Sequence, residues 1–296
     1  MGKSYLKNKG IFTVQAKDCR VRVKQISAES GSRNFPTLIF LHEGLGCLEM
    51  WRDFPETLCS SLQMQGLVYE RRGYGKSDML PEGHWSADYL VTESEKYLSA
   101  VLDAWGIGEC ILIGHSDGGS IALIAAALMK DRIKAVITEA AHIYNEEITR
   151  AGIREVVKMY ETGNLREKLC RYHGKYTDAV FYRWADTWLS EEFVTWNIEK
   201  FLPDVQCPFL LIQGENDEYA TLKHAQDIAR QVSGPVNMEI IPQCGHVPHF
   251  QAGERVLELM KDFIRNYEKM QPGLPFCAAA HEQTEACFRL VSGNVF

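Results

Sequence analysis

The sequence predicts an α/β fold in which a mostly parallel sheet carries helices on both faces. Short apolar segments have the length and composition of buried strands: TLIFLH (37–42), LVYE (67–70), ILI (111–113) and AVITEA (135–140). Amphipathic helical patterns lie between these segments. Strands that alternate with helices along a chain form parallel sheets with helices packed on both sides.

The first half of the chain supports this fold class element by element. Residues 10–27 contain two strand-like segments, GIFTVQAKD and RVRVKQIS, and the second alternates cleanly between apolar and polar residues. The loop ESGSRNFP leads to the strand at 37–42. A helix is predicted over about 87–105, and a second helix follows the strand at 111–113 and ends near Lys130.

The pattern changes after the strand at 135–140. From His142 to about Pro203 the sequence contains no buried strand. It shows only amphipathic helical patterns, rich in Tyr, Trp and charged residues. The alternation resumes with CPFLLIQGEND, a helix at 221–232, the strand MEIIP and a helix at about 253–268. We therefore predict a core over 1–141 and 205–270, a helical cap at 142–204 and a C-terminal tail at 271–296.

Composition restricts the possible partners. The 296 residues are 46% hydrophobic and 24% charged, as expected of a soluble globular protein. A net charge of −7 offers no basic field, so we expect no nucleic-acid partner. No apolar run is long enough for a membrane span, and the N-terminus MGKSYLKNKG lacks the apolar core of a signal peptide. No membrane partner is expected, and the oligomeric state stays open.

The cysteines favour a reducing compartment. Nine cysteines are scattered along the chain without a C-x-x-C pair, so neither a zinc site nor a thioredoxin-like motif is indicated. Most of them lie in apolar runs, where cysteine behaves as a small buried hydrophobe. In the absence of a secretion signal, we expect a cytoplasmic location.

Ser116 stands in an unusual setting between a strand and a helix. The segment Gly114-His115-Ser116-Asp117-Gly118 crowds small residues around one serine. One interpretation is a helix N-cap, for which serine is well suited. The other is the nucleophile elbow G-x-S-x-G, whose small residues tolerate a sharp turn that exposes the serine hydroxyl above the sheet.

Partners for a nucleophilic serine occur downstream in the order that this chemistry requires. A serine nucleophile needs a histidine to accept its proton and a carboxylate to orient that histidine. Asp217 follows the strand in LLIQGENDEY, and His246 lies in a glycine turn after the next strand. Asp217 as a helix cap and His246 as a plain turn residue are the structural alternatives. Glu215 is a second candidate acid, and His249 is a second candidate base.

The chain resembles the α/β-hydrolase fold superfamily over about residues 10–270. The matching segments are LHEG, RRGYGKSD, GHSDGG, GENDEY and GHVPH. The resemblance implies an eight-stranded core with a helical cap inserted after the sixth strand, which agrees with the insert at 142–204. It also implies catalytic roles for Ser116, Asp217 and His246.

The resemblance further implies an oxyanion hole made by the main-chain N–H groups of Asp117 and Gly44. Relatives usually carry His-Gly-X at the second position, whereas this chain has His42-Glu43-Gly44. An ionised carboxylate beside a developing oxyanion is costly in a low-dielectric site. Glu43 therefore either points away, bonded to a partner such as Arg71, Arg72 or Arg52, or meets a polar part of the substrate.

Several aromatic and histidine side chains remain candidates for supporting roles. Trp184, Trp188 and Trp196 lie in the predicted cap, where they either pack or contact the substrate. We treat Trp184 and Trp188, together with Glu43, as candidate substrate-binding residues. His42 is expected to support the oxyanion loop, and His115 is expected to pack inside the elbow. Trp51 is expected to pack as well.

These features together predict a serine hydrolase. The expected substrate is a small carboxylic ester with an apolar or aromatic acyl group, and no cofactor or metal is required. Thioesterase, lactonase and C–C bond hydrolase activities use the same triad and stay open, as does a non-catalytic ligand receptor with this fold. A haloalkane dehalogenase or an epoxide hydrolase of this fold places Asp at the nucleophile position, so Ser116 counts against both.

Overall fold

The computed structural model describes residues 10–27, 35–81 and 83–269. The predicted tail at 271–296 lies outside the described residues. Eight strands form one sheet, and their bounds are β1 Ile11–Ala16, β2 Cys19–Ile26, β3 Thr37–Leu41, β4 Gly66–Glu70, β5 Cys110–His115, β6 Ile133–Glu139, β7 Phe209–Gly214 and β8 Val236–Ile241.

The sheet confirms the predicted fold class. Its strand order is β1-β2-β4-β3-β5-β6-β7-β8. The β1–β2 and β2–β4 pairs are antiparallel, and every other neighbouring pair is parallel. Because the strands from β3 to β8 run in the same direction, their carboxyl ends meet at one edge, where open α/β sheets build their sites.

Helices cover both faces of this sheet. Their bounds are α1 Phe54–Leu62, α2 Tyr89–Thr92, α3 Ser99–Trp105, α4 Asp117–Leu128, α5 Glu147–Thr162, α6 Leu165–His173, α7 Thr177–Leu189, α8 Glu191–Val194, α9 Leu222–Gln231, α10 Pro248–Gln251 and α11 Gly253–Lys269. A π-helical segment, Glu93–Leu98, joins α2 to α3. The helix predicted over 87–105 is therefore present, with an irregular middle that the apolar spacing does not reveal.

The core has two layers because the parallel strands are apolar on both faces. In β5, Leu112 belongs to the cluster under α3, α4 and the cap helices, while Ile111 and Ile113 belong to the cluster under α1 and α11. Helix α4 is apolar all round and buried from Asp117 to Ala127. A helix that is hydrophobic on every side must be enclosed, and α4 lies between the sheet and the 3-10 helix Glu199–Asp204.

The segment between β6 and β7 is helical, as the sequence predicts. It contains α5, α6, α7 and α8, with one isolated bridge between Tyr144 and Asn197. The seven described cysteines are free, and five of them are buried as small hydrophobes. In the described part of the chain, every helix is too short or too polar to cross a membrane.

Two glycines let β3, β5 and α4 approach closely. A Cβ on Gly114 would lie 2.1 Å from the carbonyl oxygen of Gly118, and a Cβ on Gly118 would lie 2.0 Å from that of Leu41. Both neighbours are main-chain atoms, which cannot move aside without displacing a strand or the helix. The glycine on each side of Ser116 is therefore required by packing.

We expect Gly118→Ala to destabilise the fold by about 3 kcal/mol or more, because the added methyl group collides with the β3 main chain. Urea unfolding of both variants measures this. The matched control is Gly108→Ala, where an added Cβ meets no atom within 4 Å. Equal stabilities of the two alanine variants would contradict this account of the elbow.

Candidate active site

Ser116 occupies a strained turn between β5 and α4. Its φ of 53° and ψ of −117° lie in a region that non-glycine residues rarely adopt. Its main-chain N–H donates to the carbonyl oxygen of Glu139, and its own carbonyl accepts from Gly119. The side chain makes no capping hydrogen bond to α4. The strained turn therefore presents the hydroxyl away from the helix, which a simple N-cap does not explain.

Three of the predicted site residues form one hydrogen-bonded series. Ser116 Oγ lies 3.0 Å from Nε2 of His246, and Nδ1 of the same ring lies 2.9 Å from both carboxylate oxygens of Asp217. An imidazole with Nδ1 donating to a carboxylate has Nε2 free to accept a proton from the serine. The arrangement can therefore remove a proton from Ser116.

The Asp217 carboxylate is held ionised. It accepts hydrogen bonds from the Gln213 amide at 2.7 Å and from the main-chain N–H groups of Tyr219 and Ala220. Burial opposes ionisation, but the His246 ring and these donors outweigh it and lower the pKa of Asp217 to about 2. The N-cap of α9 is Thr221, so Asp217 does not cap that helix.

Hydrogen bonds to the main-chain N–H and carbonyl groups of His246 hold the turn that carries this residue. The His246 N–H donates to Glu218 at 3.0 Å, and the His246 carbonyl oxygen lies 2.7 Å from Nε2 of His115. His115 is buried in the elbow, as expected, and its ring supports the turn that carries the base. The position of the His246 ring thus depends on two neighbouring side chains.

The alternative base, His249, and the alternative acid, Glu215, lie outside the hydrogen-bonded series of Ser116. Glu139 is hydrogen-bonded to His249 through both Nδ1, at 3.0 Å, and the main-chain N–H, at 2.8 Å. The His249 ring packs on Trp51, with ring centroids 4.8 Å apart. Glu215 is exposed and accepts from the main-chain N–H of Gln243. Neither His249 nor Glu215 joins the Ser116 series.

The main-chain N–H groups of Asp117 and Gly44 are available as hydrogen-bond donors to a bound molecule. Asp117 is the first residue of α4, where helical N–H groups lack an intrahelical partner. Gly44 lies in the loop that follows β3. Within residues 10–27, 35–81 and 83–269, neither N–H donates to another group. These are the two donors that the sequence predicts for an oxyanion.

Arg71 links the two segments that carry these N–H groups. Its guanidinium is 1% exposed, lies 3.3 Å from the Asp117 carboxylate and donates to the Glu43 carbonyl oxygen at 2.7 Å. Its main-chain N–H donates to Nε2 of His42 at 3.0 Å, and Nδ1 of that ring lies 2.7 Å from the Glu43 carbonyl oxygen. His42 thus supports the 42–46 loop, as predicted, as the neutral Nδ1–H tautomer.

The Asp117 carboxylate is linked to the cap through Tyr89 of α2. Tyr89 donates its hydroxyl to Asp117 at 2.8 Å, and Trp188 donates its indole N–H to the Tyr89 hydroxyl at 3.1 Å. Trp188 is 2% exposed and packs against Phe193 and Trp196. Trp188 is thus enclosed and its N–H is already paired, which favours the packing role over the substrate contact that the sequence also allows.

Glu43 also differs from expectation at one point. Its carboxylate lies beside the His115 ring, with Oε2 3.7 Å from Nδ1, and not beside Arg71, Arg72 or Arg52. Arg71 contacts only the Glu43 main chain. Burial opposes ionisation of Glu43, but the His115 ring lowers its pKa. The Glu43 side chain thus points to a partner in the elbow, His115, and not to one of the arginines given as examples.

Trp184 lies directly against Gly44. A Cβ on Gly44 would come within 2.4 Å of Nε1 and 2.5 Å of Cδ1 of the indole, so only glycine fits beneath this ring. Trp184 is partly buried on α7. Of the three cap tryptophans, the structure brings this one to the site, while Trp196 is 6% exposed and stacks on Phe193.

One group of possible metal ligands converges in the described part of the chain. Side-chain atoms of Cys47, Glu49 and Glu70 lie within 4.8 Å of one another. The guanidinium of Arg22 pairs with both carboxylates, at 2.8 Å and 3.3 Å, and Glu70 also accepts the N–H groups of Lys76 and Ser77. The Lys76 ammonium, 3.9 Å from Glu49, supplies the second positive charge, so the cluster has a structural explanation.

Comparison with known proteins assigns the fold to a family. A family model described as alpha/beta hydrolase fold matches residues 36–186, just over half of the chain. The chain belongs to the alpha/beta hydrolase fold family. This confirms the family predicted from the motif segments.

Relatives of this alpha/beta hydrolase have several named activities. The serine hydrolase BPHL of Homo sapiens is 29% identical over 208 residues, covering 67% of this chain and 69% of the relative. The Mus musculus BPHL is 30% identical over 206 residues with the same coverage. Epoxide hydrolase 4 of Homo sapiens is 30% identical over 142 residues, covering 46% of this chain and 37% of the relative.

Solved structures share the fold at lower identity. A serine hydrolase involved in carbazole degradation superposes with a TM-score of 0.68 at 18% identity, covering 86% of this chain and 98% of that chain. A thermophilic esterase from Thermogutta terrifontis gives a TM-score of 0.64 at 19% identity, covering 88% and 99%. These similarities show the fold alone.

Sequence reasoning missed the residues that support the site of this alpha/beta hydrolase. The sequence suggests Arg71 only as a partner of the Glu43 side chain, and it does not single out Gln213, Glu218 or Tyr89. Gln213 carried a weak signal, since it is a polar residue at the end of an apolar strand. The Tyr89–Asp117 contact joins residues far apart in the chain, so no local pattern reveals it.

We expect Arg71→Met to destabilise the protein by about 3–5 kcal/mol, because it leaves the buried Asp117 carboxylate without its cation. Adding Asp117→Asn in the same chain should recover much of this loss, since the amide carries no charge. Urea unfolding of the two single variants and the double variant measures the coupling. Additive single effects would contradict the buried pair.

Buried neutral histidines should make the fold acid-labile. Burial and nearby cationic groups lower the pKa of His42 to about 3, of His142 to about 4 and of His224 to about 2. Below about pH 6.5 the unfolded chain binds protons that the folded protein excludes, so the free energy of unfolding falls as the pH drops. We expect this fall between about pH 6.5 and 4.5, before the ionised carboxylates lose their charge.

Urea unfolding at pH 7.5, 6.5, 5.5 and 4.5 measures this dependence. His142→Gln should lower the slope of the free energy of unfolding against pH by up to about 1.4 kcal/mol per pH unit. This is the slope that the uptake of one proton on unfolding produces. The exposed His84→Gln is the matched control and should leave the slope unchanged. A wild-type stability that does not vary over this range would rule out the explanation.

Proposed function

We propose that this chain is a serine hydrolase that cleaves small carboxylic esters through an acyl-enzyme. One observation carries the proposal: Ser116 Oγ, the His246 ring and the Asp217 carboxylate are joined by hydrogen bonds of 3.0 and 2.9 Å. The strained backbone of Ser116 and the low pKa of Asp217 support it. The names of relatives, a serine hydrolase and an esterase, agree with it.

The first half of the reaction acylates Ser116. Nε2 of His246 accepts the hydroxyl proton while Oγ attacks the carbonyl carbon of the ester. The negative charge on the carbonyl oxygen is stabilised by the main-chain N–H groups of Gly44 and Asp117. The C–O bond then breaks, and the alcohol leaves with the proton that His246 returns.

The second half releases the acid. His246 takes a proton from water, and the resulting hydroxide attacks the acyl-enzyme carbonyl carbon. The same two N–H groups stabilise the second oxyanion, after which Ser116 Oγ leaves and regains its proton from His246. Asp217 stays ionised throughout and stabilises the imidazolium that forms in both halves.

The surroundings of the site favour a small substrate with apolar parts. Ser116 is 8% exposed, and α7 contributes Trp184, which lies against the proposed oxyanion donor Gly44. The Asp117 carboxylate is paired with Arg71 and Tyr89, so it offers no free negative charge to a cationic substrate. An uncharged ester of a short acid fits this environment.

Epoxide opening suits Ser116 poorly, although an epoxide hydrolase is among the relatives. A serine oxygen that opens an epoxide forms an ether, which water does not cleave. A carboxylate nucleophile forms an ester, which it does. Thioesters and lactones lead to the same acyl-serine as esters, and they remain alternative substrates for this site.

Two measurements test the proposal. A panel of p-nitrophenyl esters of graded chain length measures hydrolysis and the preferred acyl length. A fluorophosphonate probe tests the assembled site without a known substrate, because Oγ displaces fluoride only when it is exposed and its proton can pass to His246. One adduct on the peptide containing Ser116 is expected, and heat-unfolded protein should give none.

Ser116→Ala should abolish labelling and lower ester hydrolysis by several orders of magnitude. Asp217→Asn should lower kcat on the order of 10⁴-fold, because the amide no longer holds the histidine tautomer. Glu215→Gln is the matched control, since Glu215 is exposed and outside the series. A folded wild-type protein that neither labels nor hydrolyses any short ester would refute the proposed function.

A further inference from the structure

The contact between Trp184 and Gly44 places a cap side chain beside one proposed oxyanion donor. The pyrrole edge of the indole covers the Gly44 Cα so closely that a Cβ there would lie 2.4 Å from Nε1. A second cap residue holds the same loop: His173 lies with Nε2 2.9 Å from the Leu45 carbonyl oxygen and Nδ1 3.0 Å from the Gly75 nitrogen. His173 therefore ties the cap to the residue after Gly44, close to the contact between Trp184 and Gly44.

The indole N–H of Trp184 has no acceptor within the described ranges 10–27, 35–81 and 83–269. Trp188, four residues along α7, has its N–H bonded to Tyr89. An indole nitrogen can only donate, and partly buried indoles usually find a partner. The indole nitrogens of Trp51 and Trp85 also lack acceptors but are enclosed, whereas Nε1 of the partly buried Trp184 is open to solvent. It lies beside Gly44, so a molecule bound there reaches this N–H in place of water.

The other polar atoms of an ester already have partners under the proposed function, on which this inference rests. The carbonyl oxygen takes the N–H groups of Gly44 and Asp117, and the leaving oxygen takes the proton from His246. An additional donor beside Gly44 therefore has its acceptor on the acyl side. We propose that the Trp184 N–H binds an oxygen on C2 of the acyl group, and that Trp184 thereby determines acyl specificity.

This donor implies a defined substrate class. Esters of 2-alkoxy, 2-hydroxy or 2-oxo acids carry an acceptor oxygen on C2, two bonds from the scissile carbonyl carbon. A plain alkanoate of the same length leaves the indole N–H without an acceptor. A site that hydrogen-bonds a substrate atom discriminates against the analogue that lacks it, because its own polar group is then desolvated and unpaired.

Two p-nitrophenyl esters of equal length test the proposal. The methoxyacetate and the butyrate differ only in one oxygen that replaces a CH₂ group on C2. The ratio of their kcat/KM values in the wild type should exceed the ratio of their hydroxide-catalysed rates roughly 3- to 10-fold. This comparison needs no variant and corrects for the intrinsic reactivity of the two esters.

Trp184→Phe keeps an aromatic ring but removes the N–H. It should lower kcat/KM for the methoxyacetate roughly 3- to 10-fold more than kcat/KM for the butyrate. Trp196→Phe makes the same substitution in the cap, at a buried residue stacked on Phe193, and should leave the ratio unchanged. Thermal unfolding of each variant checks that the fold is retained.

The outcomes separate this inference from the proposed function. Equal losses on both esters in Trp184→Phe would mean that the indole only packs or acts on the carbonyl, and would overturn the specificity role. A wild-type ratio equal to that of hydroxide would overturn it as well. If the wild type hydrolyses neither ester and its Ser116 does not label, the proposed function fails first, and the inference fails with it.

Discussion

The arrangement of the site depends on one buried cation, the guanidinium of Arg71. It joins the Glu43 carbonyl oxygen to the Asp117 carboxylate, while the Arg71 main-chain N–H holds His42. A buried guanidinium does not lose its proton, and an unpaired charge in the interior is very costly. The 42–46 loop and the start of α4 must therefore keep a fixed separation. The N–H groups that we propose as oxyanion donors belong to these two segments.

The same low-dielectric interior determines which charges the site retains. Asp217 and Glu139 stay ionised because each accepts hydrogen bonds from a histidine and from main-chain N–H groups. His42 and His142 stay neutral because burial opposes their charged forms. Among these side chains, only His246 lies between a carboxylate and a serine hydroxyl. The electrostatic environment thus distinguishes one candidate base from several histidines near it.

Helix α7 of the segment between β6 and β7 is connected to both residues that carry the proposed donors. Trp188 connects through Tyr89 to the carboxylate of Asp117, and Trp184 covers Gly44. These two tryptophans are four residues apart, so they lie on the same face of the helix. One is enclosed and bonded to the core, whereas the other keeps an N–H without an acceptor in the described part of the chain. Both tryptophans lie on one face of α7, so the helical pattern does not distinguish them. Their N–H groups differ because the two rings contact different parts of the core.

The sequence by itself determined the fold class, the succession of strands and helices along the chain, and the three residues proposed as a triad. These depend on local signals: apolar runs, glycines around a serine, and a polar residue after the end of a strand. Only the tertiary structure decided the partner of Glu43, the role of Arg71 and the different surroundings of Trp184 and Trp188. Those are contacts between segments such as 71 and 117, or 44 and 184, that are far apart in the chain. Periodicity records which face of an element is buried but not which side chain lies opposite, because that depends on how the folded elements pack.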